Sequence, residues 1–147
     1  MRVMVSCLIV LALGLAPWTA AAQCSISVQS ILFGDFDPSS AAPTRTIAQF
    51  TLFCIQPTSV TISLGASQVT GKVGDRQMRH DFRDATLAYN LYQDPSATIV
   101  WGDGAGAPPL QAHVEATYVG RIYGEIYPQP DAWVGDYSDT ILLTVLP

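Results

Sequence analysis

The chain has 147 residues, of which 49% are hydrophobic and 13% charged, and its formal net charge is −5 at pH 7. This length allows one domain with a substantial core but not two. The acidic balance argues against nucleic acid as a partner and against a polybasic attachment to anionic lipid, because both need clustered lysines and arginines.

The first 22 residues have the features of a secretory signal peptide. Arg2 supplies a positive start, residues 3–15 form an apolar run, and Ala20-Ala21-Ala22 has the small-x-small form of a cleavage site. A transmembrane anchor is the weaker alternative, because it needs about 20 apolar residues. Cleavage after Ala22 would leave residues 23–147 as one exported domain, with no direct membrane insertion.

The cysteines predict a disulfide. Cys7 would leave with the signal peptide, so Cys24 and Cys54 remain as a pair in an exported chain. An oxidising compartment makes a disulfide between them the expected state. Two buried free thiols and a metal site are the alternatives. A metal site is the weaker one, because only His80 and His113 could join the cysteines and neither has ligand spacing.

From Cys24 onward, the sequence predicts short strands separated by turns, with no sustained helical period. Alternating apolar and polar residues indicate strands at 26–28, 45–54, 60–64, 87–92, 99–101, 114–126 and 140–146. Strands of this number, with turns at these intervals, are typical of a two-sheet antiparallel β-sandwich.

Two parts of this pattern carry more specific expectations. Residues 65–84 are polar and contain glycine, so they predict a long exposed connection with a short strand around 77–79 and charges on a solvated surface. Within residues 114–126, Gly120 and Gly124 are interpreted as β-bulges.

No catalytic motif is recognisable, and the prediction is a protein that is not an enzyme, with no catalytic residue, metal or cofactor. His80 lies near Asp81 and Asp84 in the sequence, which is interpreted as a surface ion pair. A small hydrolase that uses His80 or His113 with a nearby acid is the weaker alternative. Asp139 and other turn aspartates are expected to bind nearby backbone amides.

The last predicted strand has apolar residues on both faces. Ile141, Leu143 and Val145 share one face, and the other face carries Leu142, Thr144 and Leu146. This pattern is typical of a strand that is covered on both faces and flanked within its sheet. No sequence follows it to provide a neighbour. The neighbour must therefore come from elsewhere in the chain or from another chain.

An ordered set of short motifs runs over the whole predicted mature chain: Cys24-Ser-Ile-Ser-Val28, Phe33-Gly-Asp-Phe-Asp-Pro38, Arg76-x-Met78, Leu87-Ala-Tyr-Asn-Leu-Tyr-Gln-Asp94, Trp101-Gly-Asp-Gly104, Tyr123-Gly-Glu-Ile126 and Gly135-Asp-Tyr-Ser-Asp-Thr140. This ordered set resembles the spore coat protein U domain, found in subunits of archaic, Csu-type chaperone-usher pili of Gram-negative bacteria.

The resemblance implies an immunoglobulin-like sandwich that lacks its final strand, leaving a groove for a strand from a periplasmic chaperone and then from a neighbouring subunit. It also implies an outer-membrane usher as a partner, and export to the periplasm and then to the cell surface. The predicted strands would line the groove with Ile26 and Val28 on one wall and Ile141, Leu143 and Val145 on the other.

The segment before the first cysteine differs from that of polymerising subunits in this family, which carry a donor segment there. After cleavage only Gln23 would precede Cys24, which fits a subunit at a fibre tip. The expected binding loop then contains Tyr127, Trp133 and Val134, although Trp133 could instead fold back onto the core. The alternative function is a self-complete secreted β-sandwich binding domain outside any fibre.

Overall fold

The computed structural model describes residues 4–6, 23–104 and 106–147, and these residues contain strands and no helix. The strands are β1 Met4–Ser6, β2 Cys24–Val28, β3 Thr44–Cys54, β4 Thr58–Leu64, β5 Arg76–His80, β6 Thr86–Tyr92, β7 Leu110–Val114, β8 Thr117–Ile126, β9 Tyr137–Ser138 and β10 Thr140–Leu146. They form one sheet in the order β1-β10-β4-β7 and another in the order β2-β3-β8-β6-β5-β9.

The two sheets share a single hydrophobic core. Ile62 and Leu143 from the four-stranded sheet belong to the same buried cluster as Phe50, Leu91 and Ile122 from the six-stranded sheet. All neighbouring strands are antiparallel except β1 and β10, which are parallel. The predicted all-β antiparallel sandwich is confirmed.

The predicted disulfide is also confirmed. Cys24 and Cys54 are directly opposite each other in the β2–β3 pair, and their sulfurs are bonded with a Cα–Cα distance of 4.1 Å. The bond fixes β2, which is at the end of the six-stranded sheet, to the longest strand of the fold.

The glycines of β8 are not bulges, because the β3–β8 register runs without interruption from Thr44↔Ile126 to Phe53↔Thr117. Gly120 is opposite Phe50, whose ring occupies the space that a Cβ on Gly120 would fill. A Cβ on Gly124 would lie 2.7 Å from Cζ of Phe33. Both glycines therefore leave room for aromatic rings of the core.

The expectation that residues 65–84 form an exposed connection is wrong for β5. The predicted short strand exists, but its inward positions Arg76, Met78 and His80 are all buried. The charge of Arg76 therefore lies inside the protein, because its guanidinium finds hydrogen-bond acceptors there.

Arg76 joins the two sheets at the end of β4. Its Nη1 donates to Oδ1 of Asn90 on β6 at 2.7 Å. Its Nη2 donates to the carbonyl oxygens of Leu64, Gly65 and Trp101 at 3.0, 2.7 and 2.9 Å, and Nε donates to Gly65 O at 3.2 Å. Burial lowers the pKa of the guanidinium from its usual range.

Two other strand predictions need correction. Residues 99–101 form only an isolated bridge between Val100 and Tyr92, and Trp101 is instead a buried core residue whose Nε1 donates to Ile62 O at 2.8 Å. The single stretch predicted at 114–126 divides into β7 and β8, which belong to different sheets.

The predicted signal peptide lies outside the described residues except for β1, so its cleavage site and Cys7 are not described. The described part of the chain contains no helix with the length and apolar character needed to span a membrane.

Candidate functional site

The last strand has a neighbour on each side. β4 pairs antiparallel with β10 from Leu143↔Leu64 to Leu146↔Thr61. On the other side, β1 pairs parallel with the first three residues of β10, from Met4↔Thr140 to Ser6↔Leu142. The neighbour that the sequence required therefore comes from the same chain, but from within the predicted signal peptide.

The predicted groove residues all belong to or contact the hydrophobic core. Ile141 and Leu143 on β10 are fully buried within it. Ile26, Val28 and Val145 are partly buried and pack against it. β2 is at one end of its sheet, and β10 is the second strand of the other sheet. The five residues are thus core-facing residues at or next to a sheet edge, and their role as a groove stays a prediction.

A polar network fixes the start of β10. Tyr89 Oη donates to Oδ2 of Asp139 at 2.7 Å, and Oδ1 of Asp139 accepts hydrogen bonds from the backbone amides of Gln68 at 3.1 Å and Thr140 at 2.8 Å. Burial raises the pKa of Tyr89, and the nearby Asp139 carboxylate raises it further. Asp139 therefore binds backbone amides as expected and also connects β10 to β6.

The predicted binding loop divides into two environments. Trp133 and Val134 are exposed, at 57% and 91%. Tyr127 is partly buried, and its hydroxyl lies 2.8 Å from the hydroxyl of Tyr92. The alternative that Trp133 folds onto the core is therefore wrong.

Two residues of the β5–β6 loop were not predicted to belong to this surface. The guanidinium of Arg83 lies 4.4 Å from the centre of the Trp133 ring, in a cation–π arrangement. Phe82, in the same β5–β6 loop, is 90% exposed. We call Phe82, Arg83, Trp133 and Val134 the loop surface. The aromatic and apolar residues in these two loops were a signal in the sequence. Only the fold shows that the β5–β6 loop meets the loop before β9.

His80 connects the two loops that form this surface. Its Nδ1 accepts a hydrogen bond from the amide of Phe82 at 3.0 Å, so Nε2 carries the proton that is donated to Val134 O at 3.1 Å. Gly135 lies against the ring, because a Cβ there would be 2.7 Å from Cε1 of His80. The surface ion pair expected for His80 is therefore wrong, and this histidine has a structural role.

His113 has neighbours of the types that a hydrolase uses. Its Nδ1 lies 3.1 Å from Oγ of Ser59, and its Nε2 lies 3.3 Å from Oε1 of Glu115. However, the side chains of His113 and Glu115 are 56% and 79% exposed. Water screens such a pair and leaves the imidazole free to reorient. Thr61 and Gln111 make a similar cross-strand bond on the same strand pair, at 3.0 Å. This arrangement is a polar cross-strand ladder and gives the hydrolase alternative no support.

The part of the chain that the structure describes contains no candidate metal site. No group of three or more His, Cys, Asp or Glu side chains there is placed to hold an ion.

The family model for the Spore Coat Protein U domain matches residues 10–144. The chain belongs to this family. The resemblance of the sequence motifs is thereby confirmed, and the Spore Coat Protein U domain accounts for nearly the whole chain. No curated protein matches the chain significantly.

A solved structure is similar to this Spore Coat Protein U domain in fold. It is the crystal structure of the CsuC–CsuE chaperone–tip adhesion subunit pre-assembly complex from archaic chaperone-usher Csu pili of Acinetobacter baumannii. The TM-score is 0.61 at 19% sequence identity, and the match covers 86% of this chain and 40% of the solved chain. The chain thus spans less than half the length of the solved chain that it matches.

Proposed function

We propose that this Spore Coat Protein U domain is a non-enzymatic subunit of a chaperone-usher surface pilus and that the outer edge of β10 accepts a strand from another chain. The observation that carries the proposal is which residues pair with that edge. Among the described residues, Met4–Ser6 of the predicted signal peptide pair there with Thr140, Ile141 and Leu142. Cleavage after Ala22 would remove them and leave core-facing residues beside an unpaired edge.

A donor strand would have enough apolar surface to bury for tight binding. Ile26, Val28, Ile141, Leu143 and Val145 form the walls in this proposal, and they already contact the core. Filling four or five such sites at about 1.5–3 kcal/mol each contributes roughly 6–15 kcal/mol before ordering costs. A whole domain is stable by about 5–15 kcal/mol. A processed subunit with an empty edge is therefore expected to be marginally stable.

The partners that follow are a periplasmic chaperone, an outer-membrane usher and a neighbouring subunit, in a Gram-negative bacterium. The likeness to a chain of a chaperone–subunit complex supports the chaperone. The chain would pass through the periplasm and end at the cell surface. Strand addition would give affinity through backbone bonds and specificity through alternate side chains.

The test is periplasmic production of residues 23–147 with and without a pilus chaperone, followed by co-purification and thermal unfolding. We expect little folded protein alone and a stable one-to-one complex with the chaperone. A stable lone monomer that ignores the chaperone would contradict the proposal.

Charge substitutions on the two faces of β10 provide the matched comparison. Val145→Asp places a charge on the partly buried, core-facing side and is expected to abolish the complex. Leu146→Asp, at an adjacent position that is 56% exposed, is expected to preserve it. Equal effects of the two substitutions would show that the core-facing side does not receive the donor.

The pairing of β1 with β10 specifically favours the second candidate, a self-complete secreted binding domain. If the signal peptide were retained, the chain would supply its own edge strand. Mass spectrometry of the exported protein separates the two, because a mature start at Gln23 removes β1 and a start at or before Met4 retains it.

The loop surface is the proposed adhesive part of the subunit, consistent with a position at a fibre tip. Trp133→Ala and Val134→Ser are expected to reduce attachment of cells that display the protein, with unchanged surface amounts. Ile55→Ser is the control, because Ile55 is 64% exposed but lies at the other end of β3 from this loop. Thr44, at the start of β3, pairs with Ile126, which precedes Tyr127, whereas Ile55 follows the last residue of β3. Tyr127→Phe, which removes only the hydroxyl contacting Tyr92, tests whether Tyr127 belongs to the same surface.

A further inference from the structure

A shallow pocket lies on the outer face of the six-stranded sheet, between β3, β8 and the loop of residues 93–98. Its volume is about 100 Å³, and its lining includes Arg45, Ile47, Tyr92, Tyr123 and Glu125. We propose that this pocket binds one neutral pyranose ring, either of a free sugar or at the end of a glycan. The pocket shares no residue with the β10 edge or the loop surface, so this inference does not depend on the proposed function.

Strand register explains the two kinds of surface in the pocket. Ile47 on β3 is directly opposite Tyr123 on β8, and Tyr123 is opposite Tyr92 on β6. These three side chains therefore form an apolar row across the sheet. Two residues further along β3 and β8, and so on the same face, Arg45 is opposite Glu125. Such a combination of apolar walls with a few polar groups is typical of small-molecule sites.

The Arg45–Glu125 pair supplies both hydrogen-bond donors and an acceptor. Nε of Arg45 donates to Oε2 of Glu125 at 2.7 Å. Among the described residues, the two Nη nitrogens of Arg45 and Oε1 of Glu125 have no further hydrogen-bond partner. A sugar hydroxyl both donates and accepts, so neighbouring hydroxyls of one ring can bind both residues. Hydrogen bonds to charged groups are stronger than those between neutral groups.

The charges of the pocket favour a neutral polar ligand. The guanidinium and the carboxylate balance each other, and the net charge of −5 on the chain disfavours anions. A wholly apolar ligand is also disfavoured, because the side chain of Glu125 is only 13% exposed and would be covered without a new hydrogen bond.

A pyranose ring meets both requirements, because C–H groups cover its faces and hydroxyls surround its edge. One face can then lie on the ring of Tyr123 while the hydroxyls bind the charged pair. The volume is below the about 300–1,000 Å³ of sites for larger ligands, so the pocket accommodates a single ring.

The loop wall of the pocket is held in place before any ligand binds. Pro95 and Ala97 belong to this wall. Oδ1 of Asp94 accepts hydrogen bonds from the amides of Thr98 at 3.0 Å and Ile99 at 2.7 Å, and Oδ2 accepts one from Oγ1 of Thr98 at 2.8 Å. Ala97 has a φ of 55°, in the left-handed region that is uncommon for alanine. A preformed wall removes the cost of ordering the loop when the ligand binds.

The experiment follows backbone amides by NMR while neutral sugars are added to the full 147-residue chain, refolded with its Cys24–Cys54 disulfide closed. The probes are the methyl pyranosides of glucose, mannose, galactose and N-acetylglucosamine, together with disaccharides that end in the same rings. We expect at least one methyl pyranoside to shift the amides of Tyr123, Gly124 and Glu125, with a Kd on the order of a millimolar.

Two arginine substitutions provide the matched comparison. Arg45 and Arg121 are both exposed on the same face of the β3–β8 pair, but only Arg45 lines the pocket. Arg45→Met should raise the Kd at least about tenfold, because it removes hydrogen bonds from a charged donor, whereas Arg121→Met should leave it within about twofold. Tyr123→Val, which removes the ring but suits a strand, should also weaken binding. Amides of the β4–β7 pair show that each variant is folded.

The remaining outcomes decide between the sources of the ring and test the proposal itself. Disaccharides that bind as well as the methyl pyranosides identify the end of a glycan, and disaccharides that do not bind identify a free sugar; both results support the proposal. It is wrong if no pyranoside shifts these amides at about 50 mM, or if Arg45→Met and Arg121→Met weaken binding equally. It is also wrong if p-cresol shifts these amides and no sugar does, because the pocket is then an apolar site.

Discussion

Replacement of Arg76 by methionine tests the polar junction between the two sheets. The change removes the Arg76 donors from the carbonyl oxygens of Leu64, Gly65 and Trp101, whereas Oδ1 of Asn90 keeps the hydrogen bond that it accepts from the amide of Leu91. A buried acceptor without a donor costs at least about 1 kcal/mol, so the three carbonyl oxygens together predict a loss of roughly 3 kcal/mol.

Urea unfolding of the full chain, followed by far-ultraviolet circular dichroism, measures this loss. Arg79→Met is the control, because Arg79 is on the same strand but exposed, and its effect is expected to stay within about 0.5 kcal/mol. Arg76→Lys keeps the charge but cannot reach all these acceptors, so we expect an intermediate loss. A loss below about 1 kcal/mol for Arg76→Met would refute the reasoning, because the acceptors would then have found other donors.

Three further predictions concern stability. Gly120→Ala forces a Cβ against the Phe50 ring and should cost about 1–3 kcal/mol in urea unfolding, whereas Gly74→Ala, with nothing within 4 Å of the new Cβ, should change little; equal effects would contradict the packing argument. The free energy of unfolding should fall as the pH rises above the usual tyrosine pKa of 10.0, because the raised pKa keeps Tyr89 protonated in the folded state while the unfolded chain releases its proton. Tyr89→Phe should reduce the dependence of the unfolding free energy on pH by about 1.4 kcal/mol per pH unit, and an unchanged dependence would show that Tyr89 does not cause it. Replacing Cys24 and Cys54 with serine should cost about 3–4 kcal/mol by the chain-entropy argument, measured against the oxidised parent, and a loss below about 1 kcal/mol would show that the disulfide contributes little.

The strands could be predicted where one face is buried, because burial imposes a period of two on the sequence. The pattern of β3 is of this kind, with Ala48, Phe50, Leu52 and Cys54 inward. The disulfide followed from cysteine count and compartment. Both predictions depend on local sequence or on simple chemistry, and neither requires knowledge of which strands are neighbours.

The residues whose environment was predicted wrongly are those whose burial depends on partners that are distant in the sequence. Arg76 resembles a surface charge until Leu64, Asn90 and Trp101 supply acceptors from three other segments. Gly120 resembles a bulge until the ring of Phe50 is placed across the sheet. A sequence shows the demand of a side chain for partners but not the positions of those partners.

The candidate site could be predicted only in part, because its partners also come from distant parts of the sequence. The apolar faces of β10 required a neighbour, which the sequence shows directly. That residues 4–6 of the predicted signal peptide supply this neighbour, and that the β5–β6 loop brings Arg83 next to Trp133, depends on strand order and could not be derived from periodicity.

Asp139 alone separates β9, in the six-stranded sheet, from β10, in the four-stranded sheet. A pull on β10 from an attached chain would pass through this single residue and its bond to Tyr89 into the opposite layer of the sandwich. Mechanical load would then be shared by both sheets, and Asp139→Ala should lower the force at which a single molecule unfolds in an optical trap.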